Sequence, residues 1–162
     1  FGGKRVLLLG AGGAARTAAM AAAAEQCAEV LVANRTVQRA EALAGDVHRA
    51  FPQVRVQALP LKGAEEAARE ADLIVQCTSA GLRADEPPLL RARAFHAGQA
   101  VFDMIYSQHR TPILCEAEAA GAAVANGLGM LLYQGVSALE LWTGREAPVA
   151  VMRTALNEAV SG

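Results

Sequence analysis

R-V-L-L-L-G-A-G-G-A-A, running from Arg5 to Ala15, joins an unbroken apolar run to a glycine cluster and then to an alanine-rich helical segment. Without polar alternation, the run reads as a strand or short segment buried on both faces. Gly10 permits a tight turn out of that strand. Gly12 has no Cβ, so the backbone there can come within hydrogen-bonding range of a pyrophosphate, and Ala15 lets the helix lie close on the sheet. The helix beginning at this point aims free N–H groups and the positive end of its dipole at the phosphates. In this strand-to-helix context the pattern is a dinucleotide fingerprint of the G-x-G-x-x-G/A type, formed by Gly10, Ala11, Gly12, Gly13 and Ala14. The plainer alternative is that the glycines only make a tight turn.

Outward from that stretch, strand-like runs at Val6–Leu9, Val30–Ala33, Val54–Ala58, Leu73–Gln76, Ala100–Met104 and Ala122–Ala125 alternate with helical patterns. This alternation predicts an α/β fold of Rossmann type: a doubly wound, mostly parallel six-stranded sheet in the order 3-2-1-4-5-6, with helices on both faces. The first helix is expected from Gly13 to Gln26. The second runs from Val37 to Ala50, with Ala40, Leu43, Ala44 and Val47 on one stripe and Pro52 marking its end. Arg83 to Pro88 reads as a surface loop after the fourth strand. Met130 to Trp142 is helical and Thr143-Gly144 stops it, while Pro148 suits the first turn of a last helix through Ala159.

The chain has 162 residues and a formal net charge of −1, which fits one domain that buries roughly two-thirds of its unfolded surface. Its basic residues are spread along the sequence, so the charge pattern does not suggest a nucleic-acid or anionic-membrane partner. No apolar run approaches the ~20 residues of a membrane span. Cys27, Cys77 and Cys115 are widely spaced in apolar contexts and read as reduced, buried thiols, which suggests a cytoplasmic protein. No His/Cys/carboxylate cluster has metal-ligand spacing. The sequence opens Phe1-Gly2-Gly3-Lys4 directly into a core strand without an initiator Met, as though something upstream had been removed.

At the end of the second strand an NAD site usually carries an acidic residue that binds the ribose hydroxyls. This sequence instead has Asn34-Arg35-Thr36-Val37-Gln38-Arg39. Arg35 and Arg39 can grip a 2′-phosphate while Asn34 and Thr36 donate hydrogen bonds, which outlines an NADP site. Alternatively, Asn34 and Thr36 cap the second helix and both arginines are solvated. After the fourth strand, Thr78 and Ser79 can touch cofactor ribose or phosphate, or form a plain turn. After the fifth, Met104 can pack on the nicotinamide and Tyr106 can offer its phenol to a substrate carboxylate; otherwise Asp103 caps a turn beside a loop aromatic. Gly127 opens another helix near the nicotinamide carboxamide, and Gln134, two turns on, faces either the cleft or solvent.

These motifs occur in order: G-A-G-G-A-A, N-R-T-V-Q-R-A, Q-C-T-S-A-G, D-M-I-Y with T-P-I-L, and N-G-L-G-M-L-L-Y-Q-G with W-T-G. From Lys4 to about Gly144 the chain resembles the NADP-binding half of shikimate dehydrogenases. The resemblance implies reduction of 3-dehydroshikimate to shikimate with NADPH, in chorismate and aromatic amino-acid biosynthesis. By position, residues 10–14 would hold the pyrophosphate, 34–39 the adenosine 2′-phosphate end, Met104 and Gly127 the nicotinamide side, and Tyr106 and Gln134 the substrate. One departure is the loop Ser107-Gln108-His109-Arg110, where the family commonly has a proline.

The family's catalytic Lys and Asp lie in an N-terminal domain not found in this sequence. Lys4, at the amino edge, and Lys62, after the third strand, are not expected at the cleft, and His48, His96 and His109 read as surface or loop residues. Residues 1–162 are thus expected to form an NADP-binding domain without a catalytic residue of its own, Tyr106 being the local side chain nearest to suiting a proton donor. The helix within 145–162 would pack toward the other domain, and a homodimer is a further expectation. The alternatives are a quinate/shikimate dehydrogenase paralogue and a non-catalytic NADP-binding sensor or interaction module.

Overall fold

The computed structural model describes residues 1–83, 85–106 and 110–161. Six strands form one sheet: β1 (Arg5–Leu9), β2 (Glu29–Asn34), β3 (Arg55–Pro60), β4 (Leu73–Gln76), β5 (Ala100–Asp103) and β6 (Ala123–Asn126). The order is β3-β2-β1-β4-β5-β6. Every pairing is parallel, so the expected order holds and the sheet is fully rather than mostly parallel. Several ends differ from the sequence reading by a residue or two, because ladder bonding rather than side-chain polarity sets where pairing stops. Polar Glu29 opens β2, while β3 starts one residue later and continues through Pro60.

The helices are α1 (Gly13–Ala24), α2 (Val37–Ala50), α3 (Ala64–Glu70), α4 (Pro112–Ala119), α5 (Leu128–Thr143) and α6 (Val149–Ser161). Alternation along β1 divides the core. Val6 and Leu8 pack with Ala15 and Ala19 of α1 and Leu43 and Val47 of α2. Leu7 and Leu9 pack on the other side with Ala64 and Ala68 of α3 and Ile113, Leu114 and Ala117 of α4. The alanines that α1 buries keep it close to the sheet. Its end falls short of the expected Gln26 because Gln26 adopts a left-handed φ of 57°. There the Cys27 and Gln26 amides donate to the Ala22 and Ala23 carbonyls, closing the helix with a Schellman turn that no glycine announced. Gly144, at φ 65°, stops α5 as expected.

Lys4 and Arg5 lie at the amino edge. Lys4 pairs with Asp72 at 2.9 Å, and Arg5 spans Glu29 and Glu70. Cys27 is buried, Cys77 half-buried and Cys115 exposed, so the expectation of three buried thiols fails at Cys115. Cys115 lies on α4 between buried Leu114 and half-buried Glu116, where one step of helical rotation turns a residue from core to solvent.

Candidate functional site

The chain leaves β1 through Gly10, whose amide donates to the Ala33 carbonyl at 2.8 Å. Gly10 has φ +112°, a region L side chains rarely adopt. A Cβ there would also lie 2.9 Å from Thr78 Cγ2 and 3.3 Å from the Cys77 backbone. The turn thus requires glycine for its own dihedral and for the approach of the β4 exit. The amides of Ala11, Gly12, Gly13 and Ala14 donate to no acceptor among the described residues, and Gly12, the N-cap of α1, offers no side-chain cap. A Cβ at Gly12 would meet nothing within 4 Å. Internal packing therefore gives no reason for that glycine, whereas a close-lying anion does.

Gly10, Asn34, Arg35, Thr78 and Ser79 line one cleft of about 350 Å³ at the carboxyl edge, with Leu61, Ala80, Glu86 and Leu89 completing the wall. The cleft sits over the β1/β4 junction, where strand order reverses and ligands of open parallel sheets bind. Ala11, Gly12, Gly13, Ala14, Thr36, Arg39, Met104, Tyr106, Gly127 and Gln134 do not line it.

Sequence reasoning missed two polar cleft-side groups. Buried Gln76 donates to the Ala80 carbonyl at 2.9 Å and accepts from the Thr78 amide and hydroxyl, fixing the turn after β4. Glu86 accepts the Gly81 amide proton at 2.6 Å, drawing part of the Arg83–Pro88 loop inward instead of leaving all of it at the surface. Its charge and flanking prolines disguised this role. Thr78 Oγ also accepts from the Ala80 amide, so this hydroxyl organises the turn, while Ser79 is exposed at the cleft.

At the other end of the cleft, Thr36 is the N-cap of α2 but makes no side-chain cap bond. Asn34 Nδ2 donates to the Thr36 carbonyl instead, at 2.8 Å. The capping alternative therefore fails as stated: the amide side chain pins the loop rather than the helix amides. Among the described residues, the side chains of Arg35, Arg39 and Lys62 make no ion pair or hydrogen bond; Arg145 is the other arginine of which this is true. Lys62 does not line the cleft, although it follows the cleft-lining Leu61 on the short turn after β3, at the carboxyl edge.

Beyond β5, buried Asp103 accepts from the Ile105 amide at 3.0 Å and the Thr111 hydroxyl at 2.5 Å. Burial raises its pKa above the usual carboxylate range, while those two donors oppose the rise. Burial, with a smaller contribution from the Asp103 charge, pushes the Cys77 thiol up to about 12 and leaves it inert at neutral pH. Thr111→Val is expected to cost about 2 kcal/mol at pH 7 by stripping a donor from a buried carboxylate. A raised folded pKa means stability present below the ordinary carboxylate pKa is lost as pH rises through the folded value. The variant raises that value further, so urea titrations should show a smaller deficit at pH 4 than at pH 7. An equal deficit would remove the electrostatic explanation.

Gly127 donates to the Ile105 carbonyl at 3.0 Å. Its Cβ position lies against the Met104 carbonyl oxygen, 2.8 Å from the Met104 carbonyl carbon and 3.1 Å from that of Ile105. The close approach at this glycine is thus to the protein's own backbone. Met104 packs partly against the α1/α2 side of the core. Tyr106 is 56% exposed, and Gln134 is exposed on α5. His48 and His96 are exposed, while Ala84 and the predicted loop residues Ser107, Gln108 and His109 lie outside the described residues.

A family model described as Shikimate / quinate 5-dehydrogenase matches residues 1–98, and one described as Shikimate 5'-dehydrogenase C-terminal domain matches residues 127–156. A shikimate dehydrogenase (NADP(+)) of Methanopyrus kandleri is 47% identical over 160 residues, covering 96% of this chain and 55% of the relative. A crystal structure of a shikimate dehydrogenase in complex with NADP+ superposes with TM-score 0.88 at 32% identity, covering all of this chain and 56% of the other. The Thermus thermophilus enzyme, solved with NADP(H) and shikimate, gives TM-score 0.79 at 39% identity, covering 95% and 54% of the two chains. The chain spans about half the length of the curated relatives it matches.

Proposed function

The chain belongs to the shikimate/quinate dehydrogenase family, and from that premise we propose that residues 1–162 are the NADP-binding part of an NADP-dependent shikimate dehydrogenase. The whole protein would reduce 3-dehydroshikimate to shikimate in aromatic amino-acid biosynthesis, in the cytoplasm. The observation that carries this reading is that the elbow amides at Ala11 to Ala14 have no acceptor, and Arg35 and Arg39 at the exit from β2 have no side-chain partner, among the described residues. A pyrophosphate suits the amides and a 2′-phosphate suits the guanidinium groups; Asn34, Thr36, Thr78 and Ser79 add polar contacts. When bound, the nicotinamide supplies hydride.

In this reading Met104 and Gly127 shape the nicotinamide end, while Tyr106 and Gln134 meet the substrate. The new alkoxide needs a proton donor within hydrogen-bond reach. Lys4 is at the opposite edge of the sheet, paired to Asp72, and Lys62 lies on the turn after β3, outside the cleft wall. We therefore assign the catalytic acid and the bulk of substrate binding to a further domain outside residues 1–162. Tyr133, Leu141 and Trp142 on α5 and Val151 on α6 expose large apolar side chains, a face suited to packing by that domain.

Calorimetric titration tests the cofactor assignment. NADP is expected to bind more tightly than NAD, and Arg35→Ala to weaken NADP about 10- to 100-fold without changing NAD. Equal affinity for the two cofactors, untouched by the substitution, would refute it. Turnover of dehydroshikimate by residues 1–162 alone at an enzyme-like rate would refute the placement of the catalytic acid.

A further inference from the structure

The N-R-T-V-Q-R stretch supplies two cations, but the fold brings a third to the same edge from a separate part of the chain. Asn34 and Pro60 are in register at the carboxyl ends of β2 and β3. The chains leave the sheet there side by side, into Arg35 on one and Leu61 on the other, and both residues line the cleft. Lys62 comes next, exposed on the turn formed by Leu61–Gly63. Adjacent strands are about 4.8 Å apart, a gap that a lysine side chain can span.

The charge environment sets Lys62 apart. At the amino edge, Lys4, Arg5 and Arg55 all pair with carboxylates. Near Lys62, Glu65 is already held by Arg69 and Arg93, and Glu66 makes no ion pair with Lys62. The cleft wall has one carboxylate, Glu86, one of whose oxygens accepts the Gly81 amide. Among the described residues Lys62, Arg35 and Arg39 are therefore like charges without a salt-bridge partner, Arg35 and Lys62 just past the ends of neighbouring strands and Arg39 in the first turn of α2. Their mutual repulsion is relieved by a dianion, and a phosphate monoester at neutral pH carries close to two negative charges.

We infer that Lys62 is a specificity-determining residue that acts with Arg35 and Arg39 on the 2′-phosphate of the adenosine end. This rests on the NADP reading above and deepens it. Lys62 makes the choice between phosphorylated and unphosphorylated cofactor depend on β3 as well as β2. As an exposed, flexible ammonium it contributes less than a guanidinium fork.

The experiment titrates NADP and NAD against the unaltered protein, Lys62→Gln, Lys62→Arg, Lys62→Glu and Arg35→Ala, with thermal midpoints confirming folding. Lys62→Gln is expected to raise the NADP dissociation constant about fivefold and leave NAD unchanged. Lys62→Arg should restore tight NADP binding, Lys62→Glu should weaken it further, and the NADP deficit of Lys62→Gln should shrink at high salt. If Lys62→Gln leaves NADP affinity unchanged, or weakens both cofactors equally, while Arg35→Ala discriminates between them, the inference fails and the NADP reading stands. If Arg35→Ala itself fails to discriminate, the NADP reading fails, and this inference with it.

Discussion

Gly127→Ala is expected to destabilise the protein by about 3 kcal/mol, the upper part of the range for forcing atoms into a filled space. The obstacle is the Met104–Ile105 backbone, with carbonyl carbons 2.8 and 3.1 Å from the new methyl position. A flexible side chain would swing away, but this backbone is tied down on both sides. The Met104 amide donates to the Gln76 carbonyl at 3.0 Å, and the Ile105 carbonyl accepts from Gly127 itself. Relief would require the start of α5 to move off the end of β5, breaking that bond and disturbing the β5–β6 pairing. Urea unfolding gives the loss directly. A change below about 0.5 kcal/mol, the usual effect of an unconstrained surface substitution, would show that the contact yields without cost.

Gly12→Val should have the opposite profile. Nothing in the protein lies within 4 Å of its Cβ position, and its φ of −91° and ψ of −167° are open to any residue. Losing glycine at a helix N-cap should cost about 1 kcal/mol or less. NADP affinity, however, should fall at least about 100-fold, because the side chain would hold the pyrophosphate away from the amides and charge-assisted hydrogen bonds would be lost. Normal NADP affinity with a stable fold would mean that the open amides at Ala11 to Ala14 do not bind phosphate. The two variants thus test two different roles for glycine: room for the protein's own backbone at Gly127, and the proposed room for a ligand at Gly12.

The fold, and the placing of Gly10, Asn34, Arg35, Thr78 and Ser79 at one cleft, were legible because their requirements are local. The order of strands and helices, the turn at Gly10 and the absence of an acidic residue after β2 depend on neighbours a few positions away. The reading was weaker where the deciding partner is distant in sequence. Gln76 looks like one more residue of an apolar strand, yet its amide shapes the turn through Thr78 and Ala80. Glu86 sits in a charged, proline-rich stretch that reads as solvent-facing, and only folding shows its carboxylate on the Gly81 amide. At Gly127 the sequence shows a glycine-opened helix but not the neighbour that requires glycine, the Met104 backbone on another strand exit.

The sequence by itself determined a parallel α/β sheet with a glycine elbow and an arginine-bearing exit from the second strand, since apolar period, turn chemistry and helix starts are all encoded within short windows. Tertiary structure alone decided which cations lack salt-bridge partners among the described residues and that the turn carrying Lys62 leaves the sheet next to the strand exit carrying Arg35, because parallel pairing of β2 with β3 sets residues nearly thirty positions apart at one edge. Coulomb energy depends on distance in space and on which carboxylates are already engaged, and neither can be read from separation along the chain.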